Sequence, residues 1–162
     1  MRLLHYPEVP KSAFDNKDQA RAGSHTGTHF YLKLKSADYG TITLLFQDNR
    51  GGLEVLSPKG EYIPATPIPG TIVVNAGDLL QRWSNDVIRS TEHRVVSPRT
   101  NPEHMHDRYP SRYSIAYFCN PNWDATIECL DGCYGDAAGG TEKKYAPVNT
   151  HEYLVSRLKA TY

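Results

Sequence analysis

Asp38-Tyr39-Gly40-Thr41-Ile42-Thr43-Leu44-Leu45-Phe46-Gln47-Asp48, followed closely by Gly51-Gly52-Leu53-Glu54-Val55, decides the fold class. Residues 41–46 are β-branched, leucine and aromatic in turn, the composition of a strand. The glycine pair punctuates the chain, and Leu53–Leu56 begins a second strand. Ser57-Pro58-Lys59-Gly60 carries turn chemistry and residues 61–65 return from it, so the stretch reads as a hairpin.

The pattern continues on both sides. Arg2–Tyr6 reads as a strand stopped by Pro7, with a loop over residues 7–12. Residues 30–35 alternate as a short strand would, and residues 71–75 form another. Gly77-Asp78 opens a short helical turn that reaches Trp83. A strand over residues 90–97 contains His93, a polar loop covers 98–111, and Arg112–Cys119 is a further strand. Asn149 or Thr150 can cap a terminal helix, with Glu152 in its first turn and Tyr153, Leu154 and Leu158 as its core stripe. Many short strands with Gly/Pro turns and a single C-terminal helix imply an all-β sandwich or jelly-roll.

Composition narrows the function. The chain has 162 residues and a formal net charge of zero, the size of one domain. No basic stripe is present, which speaks against a nucleic-acid partner. No run approaches the roughly 20 apolar residues of a spanning helix, so no membrane partner is expected. The three cysteines Cys119, Cys129 and Cys133 fit a reduced, cytoplasmic protein better than a disulfide framework. Cys129 and Cys133 could be half of a zinc site, but a second pair at fitting spacing is missing. Residues 1–7 show no signal-peptide pattern, and a domain that begins inside a strand reads as a fragment or a late-starting gene model.

Three residues stand out as candidates for chemistry. By spacing alone, His93 reads as a buried strand histidine, Asp38 as a turn residue and Arg112 as a strand arginine on the surface. His104 and His106 read as solvated in their loop, and Trp83 and Trp123 as packing residues. The ordered motifs around the first three change that reading. They are Asp38-Tyr39-Gly40, Gly51-Gly52-Leu53-Glu54-Val55, Asn75-Ala76-Gly77-Asp78, Thr91-Glu92-His93-Arg94-Val95 and Arg112-Tyr113-Ser114.

In this order the motifs resemble the C-terminal, iron-binding half of the Fe(II)/2-oxoglutarate-dependent dioxygenases of the isopenicillin N synthase-like family. The resemblance runs from Arg2 to about Asp124. It implies a double-stranded β-helix, or jelly-roll, with a C-terminal α-helix. It implies a single domain over residues 1–162, without the family's N-terminal half. Its implied cofactors are Fe(II), the cosubstrate 2-oxoglutarate and O₂. Two histidines and one carboxylate on one face of the metal leave positions open for cosubstrate and oxygen. Carried over by motif, the ligands are His25, Asp38 and His93, and the cosubstrate contacts are Arg112, Ser114 and Tyr6. A guanidinium fork pairs bidentately with a carboxylate, and a hydroxyl two residues along a strand faces the same way. The implied reaction is hydroxylation, desaturation or ring closure of a small organic molecule.

One departure is plain. The family has His-x-Asp, whereas here residues 27–37 separate His25-Thr26 from Asp38. The insertion can bulge out and leave the ligand pair together, displace His25 in favour of His29 or water, or destroy the site. Closing a longer loop adds little entropy, but ligand geometry tolerates only small errors. The rival readings are therefore a truncated or degenerate, inactive chain, a non-catalytic ligand-binding jelly-roll that keeps Arg112 and Ser114, and an iron oxidase that dispenses with 2-oxoglutarate.

Overall fold

The computed structural model describes residues 1–10, 12, 38–96 and 108–161. The expected strand over 30–35, the insertion at 27–37 and the histidines at 25, 29, 104 and 106 lie outside them. The chain divides into two compact units, one made of Met1–Ser36, Leu45–Val73 and Glu92–Ala116, the other of Ala37–Leu44, Val74–Thr91 and Tyr117–Tyr162.

The described strands are β1 (Arg2–Tyr6), β2 (Val9–Pro10), β3 (Ile42–Gln47), β4 (Leu53–Leu56), β5 (Tyr62–Pro64), β6 (Val73–Ala76), β7 (His93–Val95), β8 (Arg108–Tyr109), β9 (Arg112–Cys119), β10 (Thr126–Ile127) and β11 (Val148–Asn149). Helix α1 spans Asp78–Trp83 and helix α2 spans Thr150–Thr161. The larger sheets have the orders β1-β9-β3-β6 and β5-β4-β7. Strands β3, β6 and β9 contribute residues to both units.

In the first unit β1 and β9 are antiparallel, with Tyr6 opposite Arg112 and Leu4 opposite Ser114. Burial alternates along β9: Arg112, Ser114 and Ala116 are buried, while Tyr113 and Ile115 are exposed. This is the period of two that puts alternate side chains on one face. In the second sheet Leu53 lies opposite Val95 and Val55 opposite His93. Leu53 and Val95 are buried, so His93 shares their face. Glu54 points the other way, yet only 2% of it is exposed. Arg94 covers it with a 2.7 Å ion pair and lies 3.8 Å over the Tyr62 ring, which compensates the buried carboxylate. The β4–β5 hairpin turns at Gly60, whose φ of 82° is one glycine adopts freely.

Leu79, Ile127 and Leu154 form the core of the second unit, with Tyr39, Trp83, Val148 and Tyr153 packed around them. Asn149 is the residue that caps α2: its Oδ1 accepts the Glu152 N–H at 3.2 Å. Arg157, near the other end of α2, pairs with Asp78 at the start of α1 at 3.0 Å.

Several local expectations need correction. Residues 9–10 and 108–109 are not plain loop but pair as β2 and β8. Two-residue strands leave no periodicity to read. Leu158 is 46% exposed and is not a core residue, since the apolar stripe of α2 narrows to Tyr153 and Leu154. Trp123 is also exposed, with its ring edge against His151.

Candidate active site

Arg112 is the residue around which the site in the first unit is built. None of it is exposed. Its place on the inward side of β9 follows from the alternation, but a buried guanidinium needs partners for its N–H donors. Its Nε–H donates to the Gly51 carbonyl at 2.9 Å. One terminal nitrogen donates to Ser114 Oγ at 3.1 Å and the other to Gln47 Oε1 at 3.3 Å. The Tyr6 ring, opposite on β1, lies 5.0 Å from the guanidinium carbon.

Every one of these partners is neutral. Among the described residues no carboxylate pairs with Arg112. A buried cation surrounded by neutral acceptors is short of an anion. The donor set therefore fits a carboxylate ligand, which Arg112 would bind with its fork and Ser114 with its hydroxyl. Sequence reasoning brings Arg112, Ser114 and Tyr6 together, and the structure does the same. It misses Gln47 and the Gly51 carbonyl. The available signal is Gln47 itself, a polar residue in register with buried Thr43 on one face of β3.

His93 begins β7 in the same unit and is half-buried beside Val55. Its neighbour Glu92 accepts a hydrogen bond from the Tyr62 hydroxyl, and that bond raises the Tyr62 pKa.

Asp38 lies in the second unit. Its backbone carbonyl accepts the Asp78 N–H at 2.7 Å, Gly40 O accepts Leu79 N–H at 3.0 Å, and Thr41 O accepts Gly77 N–H at 2.8 Å. The Asp38-Tyr39-Gly40 and Asn75-Ala76-Gly77-Asp78 motifs are thus one latched structure. Gly77 permits it, because a Cβ there would sit 2.4 Å from Gly40 O and 2.6 Å from Asp38 O. The Asp38 side chain accepts one hydrogen bond, from Asn75 Nδ2 to Oδ2 at 2.5 Å. Among the described residues Oδ1 accepts none, which leaves a carboxylate oxygen suited to a cation. His25, the third ligand expected from the sequence, is not among the described residues, and no three His, Cys, Asp or Glu side chains gather among them.

Comparison with known proteins agrees with the motif reading at the level of the Fe(II)/2-oxoglutarate dioxygenases. A family model described as the 2OG-Fe(II) oxygenase superfamily matches residues 1–121. The 2-oxoglutarate-Fe(II) type oxidoreductase hxnY of Emericella nidulans is 36% identical over 163 residues, covering 100% of this chain and 40% of the relative. Proline hydroxylase buaE of Petromyces alliaceus is 42% identical over 166 residues, covering 100% of this chain and 46% of the relative. The crystal structure of a full-length Neurospora crassa protein, in complex with alpha-KG and thymine, is similar at 53% identity with a TM-score of 0.81, over 99% of this chain and 43% of that one. The jelly-roll expected from the sequence is borne out by that likeness. The chain spans less than half the length of these relatives.

Proposed function

We propose, since this chain belongs to the 2OG-Fe(II) oxygenase superfamily, that it carries the metal- and cosubstrate-holding part of an oxidoreductase acting on a small organic molecule. Its motifs favour the isopenicillin N synthase-like branch. Arg112 and Ser114 would bind the far carboxylate of 2-oxoglutarate, with Tyr6 beside them. Asp38 and His93, with His25, would hold Fe(II). Fe(II), 2-oxoglutarate and O₂ would together supply the oxidation, with 2-oxoglutarate leaving as succinate and CO₂.

The observation that carries this reading is the wholly buried Arg112 guanidinium, whose partners among the described residues are all neutral. A buried guanidinium without a carboxylate partner among the described residues keeps N–H donors suited to the carboxylate of a ligand. The protein's own work is then to bind and orient: the fork fixes one end of the cosubstrate, and the carboxylate at Asp38 fixes the metal.

The similar Neurospora crassa protein is in complex with thymine, and this makes a pyrimidine base the first substrate to try. A cytoplasmic location fits the composition, and no helix among the described residues is long and apolar enough to cross a membrane. The segment at 27–37 favours the rival reading of a degenerate chain. Succinate formation from 2-oxoglutarate with added Fe(II), in air, with and without thymine, separates the two. Metal-dependent succinate release supports the oxidoreductase. Its absence in a folded chain supports the degenerate, inactive reading, and 2-oxoglutarate binding retained in that chain marks the non-catalytic ligand-binding one.

A further inference from the structure

The Asp38 carboxylate is not left to find its own orientation. Asn75 stands at the inward side of β6, two residues before the glycine that lets the two motifs close on each other. Its side-chain amide meets Asp38 Oδ2 at 2.5 Å. A carboxylate only accepts, so the amide nitrogen must be the atom facing it. The bond is charge-assisted and therefore among the stronger ones. It occupies one oxygen and leaves Oδ1 without a partner among the described residues.

Backbone hydrogen bonds Asp78 N–H to Asp38 O, Leu79 N–H to Gly40 O and Gly77 N–H to Thr41 O already hold the segment in place. Those bonds would keep the fold without Asn75. What Asn75 adds is the rotation of one carboxylate. We propose that Asn75 is a positioning residue, which turns Asp38 so that Oδ1 is the oxygen it would offer to the metal. This rests on the iron-binding reading of Asp38. A ligand turned in advance costs less to order when the metal arrives, and partners behind a ligand typically account for about 10–100-fold in metal affinity.

The test uses the full chain with Mn(II) in place of iron, its affinity measured by calorimetry, and Co(II) as a probe of coordination by visible absorption. Asn75→Ala removes the donor, and Asn75→Leu removes it while keeping the volume. Both variants should bind Mn(II) about tenfold or more weakly than the parent. Their Co(II) spectra should change, since a freely turning Asp38 can offer both oxygens. The melting temperature of at least the leucine variant should stay near the parent's. Parent-like Mn(II) affinity and an unchanged Co(II) spectrum in both variants would overturn the positioning role and leave the iron reading standing. Weakened metal binding accompanied by loss of folding in both variants would reduce Asn75 to a structural residue and overturn the proposal. A parent chain that binds neither metal would overturn the iron reading and this one with it.

Discussion

Gly77 and Gly40 approach so closely that a methyl group on Gly77 would lie 2.4 Å from the Gly40 carbonyl oxygen. The close approach lets the end of β6 and the segment bearing Asp38 share backbone hydrogen bonds, including Gly77 N–H to Thr41 O at 2.8 Å. The Gly77 φ of −106° is open to any residue, so the demand for glycine is steric.

Gly77→Ala is therefore expected to lower stability by about 2–3 kcal/mol, because a backbone carbonyl cannot move aside as a side-chain end can. Urea denaturation of the two proteins measures it. An alanine variant as stable as the parent would mean that the two segments separate at little cost.

Acid should loosen the second unit at Asp86. Hydrogen bonds from Lys144, then from Tyr145, hold its carboxyl below the usual carboxylate range. A depressed folded pKa means that the stabilisation is complete above the unfolded value, about 3.9, and is lost as pH falls through the folded one. Lys144 is 47% exposed, so solvent screening keeps the pair's worth to about 1 kcal/mol. Asp86→Asn should lower stability by that amount at pH 7 and converge with the parent once the pH falls below the folded value. Equal stabilities at pH 7 would remove Asp86 from the groups behind acid unfolding.

Deleting residues 27–37 rejoins His25-Thr26 to Asp38. Phe30, Tyr31, Leu32 and Leu34 in that segment are large apolar side chains, a type worth about 1.5–3 kcal/mol each when fully buried. A gain of that size would compete with a single ligand contact, and the deletion removes the competitor. Mn(II) affinity, measured by calorimetry, should rise in the deleted form. A folded deletion variant with unchanged affinity would show the insertion to be a harmless loop.

Much of this is legible in the sequence, for reasons that differ by element. Arg112–Cys119 and Leu53–Leu56 match the expected strands at both ends because β-rich runs are bounded there by Pro110-Ser111, Asn120, Gly52 and Ser57-Pro58. The helix start is open between Asn149 and Thr150 in the sequence, and the Asn149 Oδ1 bond to Glu152 N–H settles it. β2–β8 and β10–β11 are not readable, since two-residue strands are fixed by tertiary pairing and carry no period. Leu158 is misplaced because a stripe continues in sequence after the surface it packs on has ended. At the site, Arg112, Ser114 and Tyr6 are found by their motif, but their neutral surroundings depend on Gly51 and Gln47, whose roles appear only with the chain folded. Asn75 stands within its motif with no function attached, and only its distance to Asp38 supplies one.

The most direct measurement is the affinity of the chain for 2-oxoglutarate in the presence of Mn(II), by calorimetry, for the parent and for Arg112→Lys. Lysine keeps the charge but lacks the planar fork, and it cannot serve Gly51 O, Gln47 and a ligand carboxylate at once. The parent should bind, and the lysine variant should bind at least tenfold more weakly, a loss of about 1.4 kcal/mol or more. Equal affinity of the two proteins, or no binding by a folded parent, would contradict the assignment of Arg112 to the cosubstrate.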